Sequence, residues 1–138
     1  MRYLGLDLGT RTLGLAMSDP LGMIASSYKI LRHNEEYDKL IDELEPIIKE
    51  NNVSELVLGF PKNMNNTVGE RGEIALAFKE KLEERYHLPV HMQDERLSTV
   101  EAENLLISND TSRKKRKKVI DGLAATIILQ SYLDRKGR

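Results

Sequence analysis

The sequence has no cysteine and no tryptophan. Without cysteine there is no disulfide framework, no thiolate metal site and no cysteine nucleophile. Aromatic residues are few, five Tyr and two Phe. Base stacking is therefore not the expected main way of holding a nucleic acid, although Tyr3, Phe60 and Tyr86 stay candidates. No apolar run reaches 18 residues, so no membrane span is expected. No signal-peptide pattern follows Met1, which leaves a cytoplasmic protein as the expectation. There is no Walker loop and no G-x-S-x-G elbow. His33, His87 and His91 are scattered without zinc spacing and read as surface or packing residues. Repeats, low-complexity linkers and Pro/Gly-rich boundaries are also missing, so residues 1–138 read as one domain.

What is present is an uneven charge distribution. The chain carries 21 basic and 22 acidic residues, a net charge of −1. Six consecutive cations occupy residues 113–118. The remainder carries a net charge of −7. An acidic body with one strongly basic segment favours a local contact with a polyanion.

Apolar patterning predicts strands at residues 3–7, 13–17, 23–30, 55–60 and 88–93. Tyr37, Leu40, Ile41, Leu44, Ile47 and Ile48 form one helical stripe, which Pro46 is expected to bend or split. Ile74, Phe78 and Leu82 mark a second helix. Ser98 and Glu101 have capping-box spacing and start a helix to about residue 107. Residues 62–67 and 108–118 read as loops, and 120–133 as a buried last helix. Short connections make the first three strands antiparallel. Helical crossovers make the last two parallel. The expected fold class is α/β, a mixed five-stranded sheet flanked by helices.

Ligands in such sheets sit at the carboxyl ends of strands. Asp7, Gly59-Phe60-Pro61 and Asp94-Glu95-Arg96 all fall there. Asp7 lies between leucines, where a carboxylate is costly unless paired or bound to a metal. Gly9 and Thr10 are expected to let the chain turn close to a ligand. Asp94 and Glu95 could bind a cation or simply favour a helix N-terminus. Asp121 reads as a metal ligand, a helix N-cap or the ion-pair partner of the preceding cations. Oxygen ligands from separate elements suit Mg²⁺ or Mn²⁺. Two such ions about 3.5–4 Å apart can drive phosphodiester hydrolysis, so a two-metal site is expected. The run Arg113, Lys114, Lys115, Arg116, Lys117 and Lys118 would hold the polyanion backbone with little sequence preference.

At these residues the chain resembles the YqgF family of pre-16S rRNA nucleases, also described as Holliday-junction resolvase-like. The resemblance rests on four blocks in register. They are Gly5-Leu6-Asp7-Leu8-Gly9-Thr10-Arg11-Thr12-Leu13-Gly14-Leu15-Ala16-Met17-Ser18-Asp19, Val57-Leu58-Gly59-Phe60-Pro61, Asp94-Glu95-Arg96-Leu97-Ser98-Thr99, and Lys115 to Lys118 leading into Ile120-Asp121-Gly122-Leu123-Ala124-Ala125. It implies a ribonuclease-H-like fold and a metal-dependent nuclease that matures the 5′ end of 16S ribosomal RNA in the bacterial cytoplasm. Carried over by position, Asp7, Glu95 and Asp121 would be the catalytic, metal-binding acids. Gly59-Phe60-Pro61 would shape the floor of the site. Arg11, Arg96, Lys114, Lys115, Arg116, Lys117 and Lys118 would meet the phosphate backbone of an rRNA precursor or another structured nucleic acid.

Two departures stand out. Holliday-junction resolvases carry a catalytic acid near the end of the fourth strand, where this sequence has Leu58-Gly59-Phe60. The role would pass to Asp94 or Glu95. The first block often has two basic residues after its Gly-x pair, whereas Arg11 is followed by Thr12. Three other readings remain. One is an RNA-binding ribosome assembly factor with structural acids. Another is a resolvase of branched DNA, which would need a symmetric dimer. The third is a nucleotide-binding domain, since Asp-x-Gly-Thr also resembles the phosphate turn of actin-like and sugar-kinase ATPases; those need two such domains.

Overall fold

A computed structural model describes residues 2–60, 69–94 and 113–136, with side chains at 94 and 113–122 outside that description. The strands are β1 (Arg2–Leu8), β2 (Thr12–Ser18), β3 (Ala25–Arg32), β4 (Val53–Phe60) and β5 (Val90–Asp94). The helices are α1 (Tyr37–Glu50), α2 (Glu70–Tyr86) and α3 (Arg113–Lys136). The sheet order is β3-β2-β1-β4-β5. β1, β2 and β3 are antiparallel neighbours, while β4 is parallel to both β1 and β5. This is the mixed sheet that the connection lengths predict.

β1 lies in the middle and is apolar on both faces, as a strand covered on two sides must be. Leu4, Leu6 and Leu8 join Leu13, Leu15, Leu40, Leu44, Phe78 and Leu82 in the core under α1 and α2. Tyr3 joins Ala16, Val57, Ala125, Ile128, Leu129 and Leu133 in the core under α3. β3 is an edge strand and reads ASSYKILR, mostly exposed. Its Lys29 and Arg32 suit an edge that must not pair with another chain.

Three expectations are corrected. Pro46 does not split α1, which runs unbroken from Tyr37 to Glu50. The proline removes one N–H, but Leu40, Ile41, Leu44, Ile47 and Ile48 are buried on both sides of it. Tertiary packing of that stripe outweighs one lost bond. The last helix starts at Arg113, so the basic run is not a loop. Lys and Arg are good helix formers, and extending a helix already packed needs no new nucleus. β5 includes Asp94, which pairs with Phe60. The helix expected at 98–107 and the loop at 62–67 lie outside the described residues.

α3 crosses β1 closely at Gly5. A Cβ there would come 2.7 Å from Leu129 Cβ and 3.2 Å from the Ala125 carbonyl. Only glycine lets the helix settle at this depth. At the far end of the same face, Tyr132 lies 6.0 Å from Tyr3, ring to ring, and stacks on His91 at 4.9 Å. His91 bonds Glu55 at 2.8 Å. Burial alone would raise the Glu55 carboxyl, but hydrogen bonds from His91 and Tyr3 hold it below the usual range. His91 and Tyr3 are thus packing residues, and Tyr3, 1% exposed, is no base-stacking platform.

Candidate nucleic-acid and cation site

β1, β4 and β5 run the same way, so their carboxyl ends share one edge of the sheet. The register fixes the rows. Leu6 pairs with Leu58, Gly59 with Gln93, and Phe60 with Asp94. Asp7, next after Leu6, is therefore level with Gly59 and Gln93. Strand alternation fixes the faces. Tyr3 and Gly5 face α3, so Asp7 does too. The same step runs from Val57 to Gly59 and from His91 to Gln93. Asp7, Gly59 and Gln93 form one row on the α3 face, with the glycine in the middle.

α3 runs antiparallel to β1. Tyr3 meets Tyr132 and Lys136, while Gly5 meets Leu129 and Ala125. Two strand residues advance about 6.7 Å and four helix residues about 6 Å. The step from Gly5 to Asp7 therefore matches the step from Ala125 back to Asp121. Backbone register puts positions 7 and 121 at one level. Asp121 stands eight residues after Arg113, inside the helix, so it is not the N-cap that the sequence allows.

The basic segment forms the first turns of α3, beyond position 121 and over the same edge. Anions normally occupy a helix N-terminus and cations its C-terminus. α1 and α2 obey this, with Asp38, Glu70 and Glu73 in their first turns. α3 has no acid in its first turn. Six like charges at the positive end of a helix dipole form a stretch that a polyanion would stabilise.

Arg11 is exposed in the β1–β2 turn at this edge, with Nη1 donating to Asn34 Oδ1 at 3.5 Å. His33 braces that turn. Its backbone N–H donates to the Arg11 carbonyl and its Nε2 to the Gly9 carbonyl, both at 2.9 Å. Gly9 donates to the Thr12 carbonyl at 2.8 Å. Its φ is not positive, and an added Cβ would make ordinary 3.4 Å contacts. The conformation of the turn does not itself require glycine there.

Two residues at this edge escape a reading of the sequence. Arg71, in the first turn of α2, donates to the Leu8 carbonyl at 3.2 Å and ties that helix to the end of β1. Gln93 is only 7% exposed, and its Oε1 accepts no hydrogen bond among the described residues. Neither belongs to a local motif; the period of two in β5 was the only available signal, and only for Gln93. Glu95 and Arg96 lie outside the described residues, as do the side chains of Asp94, Asp121 and residues 114–118. Among the described residues, no three His, Asp or Glu side chains gather around a common point. No described helix is long and apolar enough to cross a membrane.

The RuvX family profile, described as Holliday junction resolvase, matches residues 1–135. A Ligilactobacillus salivarius (strain UCC118) protein named "Putative pre-16S rRNA nuclease" is 54% identical over 139 residues, covering 99% of this chain and 95% of its own. A protein of the same name from Bacillus subtilis (strain 168) is 53% identical over 135 residues, covering 97% and 98%. Among solved structures, T. thermophilus RuvC in complex with Holliday junction substrate superposes with a TM-score of 0.61 at 13% identity, over 99% of this chain and 96% of that one. At that identity the likeness is one of fold, and the fold is ribonuclease-H-like.

Proposed function

Because the chain belongs to the RuvX family, we propose that it is a nuclease that hydrolyses phosphodiester bonds with a divalent cation, Mg²⁺ or Mn²⁺, in maturing the 5′ end of pre-16S rRNA. The observation that carries this is the shared edge. Three parallel strand ends share the level of Asp7, and the basic first turns of α3 lie just beyond that level. Residues 1–138 act as one domain, in the cytoplasm.

The donors fit such a cation. Asp7 is a half-buried carboxylate, and Gln93, across Gly59 from it, offers a buried oxygen with no hydrogen-bond partner among the described residues. Hard divalent cations take oxygen ligands of these kinds. Asp7, Glu95 and Asp121 would hold the cation. When bound, the cation polarises the scissile phosphate and makes water a stronger nucleophile. Arg11, Arg96 and residues 114–118 hold the phosphate backbone. An acidic edge without them would repel RNA.

The test is a denaturing-gel assay on a 5′-labelled pre-16S rRNA fragment. Mg²⁺ or Mn²⁺ is expected to support cutting, and EDTA to stop it. Ca²⁺ is expected to support binding without turnover, because its larger, looser shell positions water poorly. Binding with no cutting in any metal would overturn the nuclease and leave an assembly factor.

The basic run makes its own prediction. Each cation that neutralises a single-strand phosphate contributes roughly 0.7 to the slope of log affinity against log salt. Changing Lys115 and Lys117 to Ala is expected to flatten the slope by about 1.4, read from filter binding at several salt concentrations. An unchanged slope removes the run from the interface.

A further inference from the structure

We propose that Gln93 supplies its side-chain carbonyl oxygen to the cation held at Asp7, directly or through one water of its shell. The proposal rests on the cation reading of Asp7 given above.

Three observations support it. The first is position. Asp7, Gly59 and Gln93 make one row across β1, β4 and β5, on the α3 face. Neighbouring strands are about 4.8 Å apart, so roughly 10 Å separates the outer backbones. Gly59 has no side chain, and nothing of β4 stands between the two. Asp7 and Gln93 therefore flank a position that carries no side chain of β4.

The second observation is burial. Gln93 is 7% exposed, yet its Oε1 accepts no hydrogen bond among the described residues. Buried polar atoms nearly always have a partner, and an orphan asks for a functional reason. His91, two residues earlier on the same face, stacks on Tyr132 and bonds Glu55.

The third is chemistry. An amide oxygen is a hard neutral donor, used by Ca²⁺ directly and available to the water shell that Mg²⁺ retains. It adds a ligand without adding charge. That matters where the proposed carboxylate ligands would have to coexist with an RNA phosphate. This role also bears on the missing acid of β4. Position 59 cannot contribute a side chain, and the strand beside it contributes an oxygen at the same level.

The test uses Mn²⁺ alone as probe, without RNA. Free Mn²⁺ is titrated by electron paramagnetic resonance against wild type, Asp7→Asn, Gln93→Met and Gln93→Glu, and each protein is melted in EDTA. Gln93→Met is expected to weaken Mn²⁺ binding by roughly tenfold or more, the effect of removing a supporting partner at a metal site. In EDTA it should melt at or above wild type, because an apolar group of similar shape replaces an unpaired polar one. Gln93→Glu should bind Mn²⁺ more tightly than wild type. It should melt lower in EDTA, since it buries an unpaired carboxylate. If Gln93→Met unfolds, Gln93→Glu decides alone. Either variant binding Mn²⁺ within twofold of wild type, while Asp7→Asn has lost it, overturns the role of Gln93 and leaves Asp7 standing. Wild type and Asp7→Asn titrating alike overturns the cation site itself.

Discussion

Asp7→Asn is expected to lower cleavage of the pre-16S rRNA fragment by at least about 100-fold. Losing a supporting partner at a metal site costs about 10–100-fold in affinity or activity, so losing a ligand sets that range as the floor. The carboxamide keeps the shape of Asp7 and removes one negative charge. RNA binding should therefore persist. At about 6 Å in water, one repulsion between unit charges is worth roughly 0.7 kcal/mol, so affinity in EDTA should improve by no more than about threefold. The split between lost cutting and kept binding is the signature to measure, on a denaturing gel and in a filter assay with the same preparations. Cutting at the wild-type rate by Asp7→Asn would remove Asp7 from the chemistry. Loss of binding together with cutting would make Asp7 structural.

Gly5→Ala should have the second largest effect, on stability and activity together. The added Cβ meets Leu129 Cβ at 2.7 Å, and a Cβ cannot swing aside as a side-chain tip can. Overpacking of this kind costs about 1–3 kcal/mol. For a chain of 138 residues that is a fall in melting temperature of roughly 3–12 °C. Relief comes from lifting α3 off the sheet, which carries position 121 away from Asp7. A displacement of about 1 Å in a catalytic group can cost 100-fold in rate. Gly9→Ala is the control. Its Cβ makes ordinary contacts and its φ is not positive, so its melting point should stay within about 2 °C of wild type. Equal melting of the two variants, by calorimetry, would refute the close crossing at Gly5.

Some of the site was legible because it depends on near neighbours in the chain. Asp7 in an apolar strand, the adjacent acids Asp94 and Glu95, and the basic run are all visible as local pattern. So is the order of elements, from which parallel strands with ends on one edge follow. Other parts failed for a stated reason. Pro46 looked like a break because a local rule ignores the buried stripe that holds α1 together. The basic run read as a loop, whereas the packed remainder of α3 supplies the nucleus from which the helix extends through it. Asp121 looked like a cap because the helix start was misplaced by about two turns.

The sequence by itself determined the order of the described strands and helices, though not the start of α3, and it determined which residues carry charge and which family motifs they match. Backbone periodicity and side-chain polarity are written residue by residue, so these follow from short windows. Tertiary structure alone decided the rows and faces. It put Gln93 beside Gly59, brought Arg71 to the Leu8 carbonyl, and set α3 deep enough on Gly5 for position 121 to reach the level of Asp7. Those facts depend on strand register and helix depth. Hydrogen bonds between distant strands and the absence of one Cβ set them, and no local pattern encodes either.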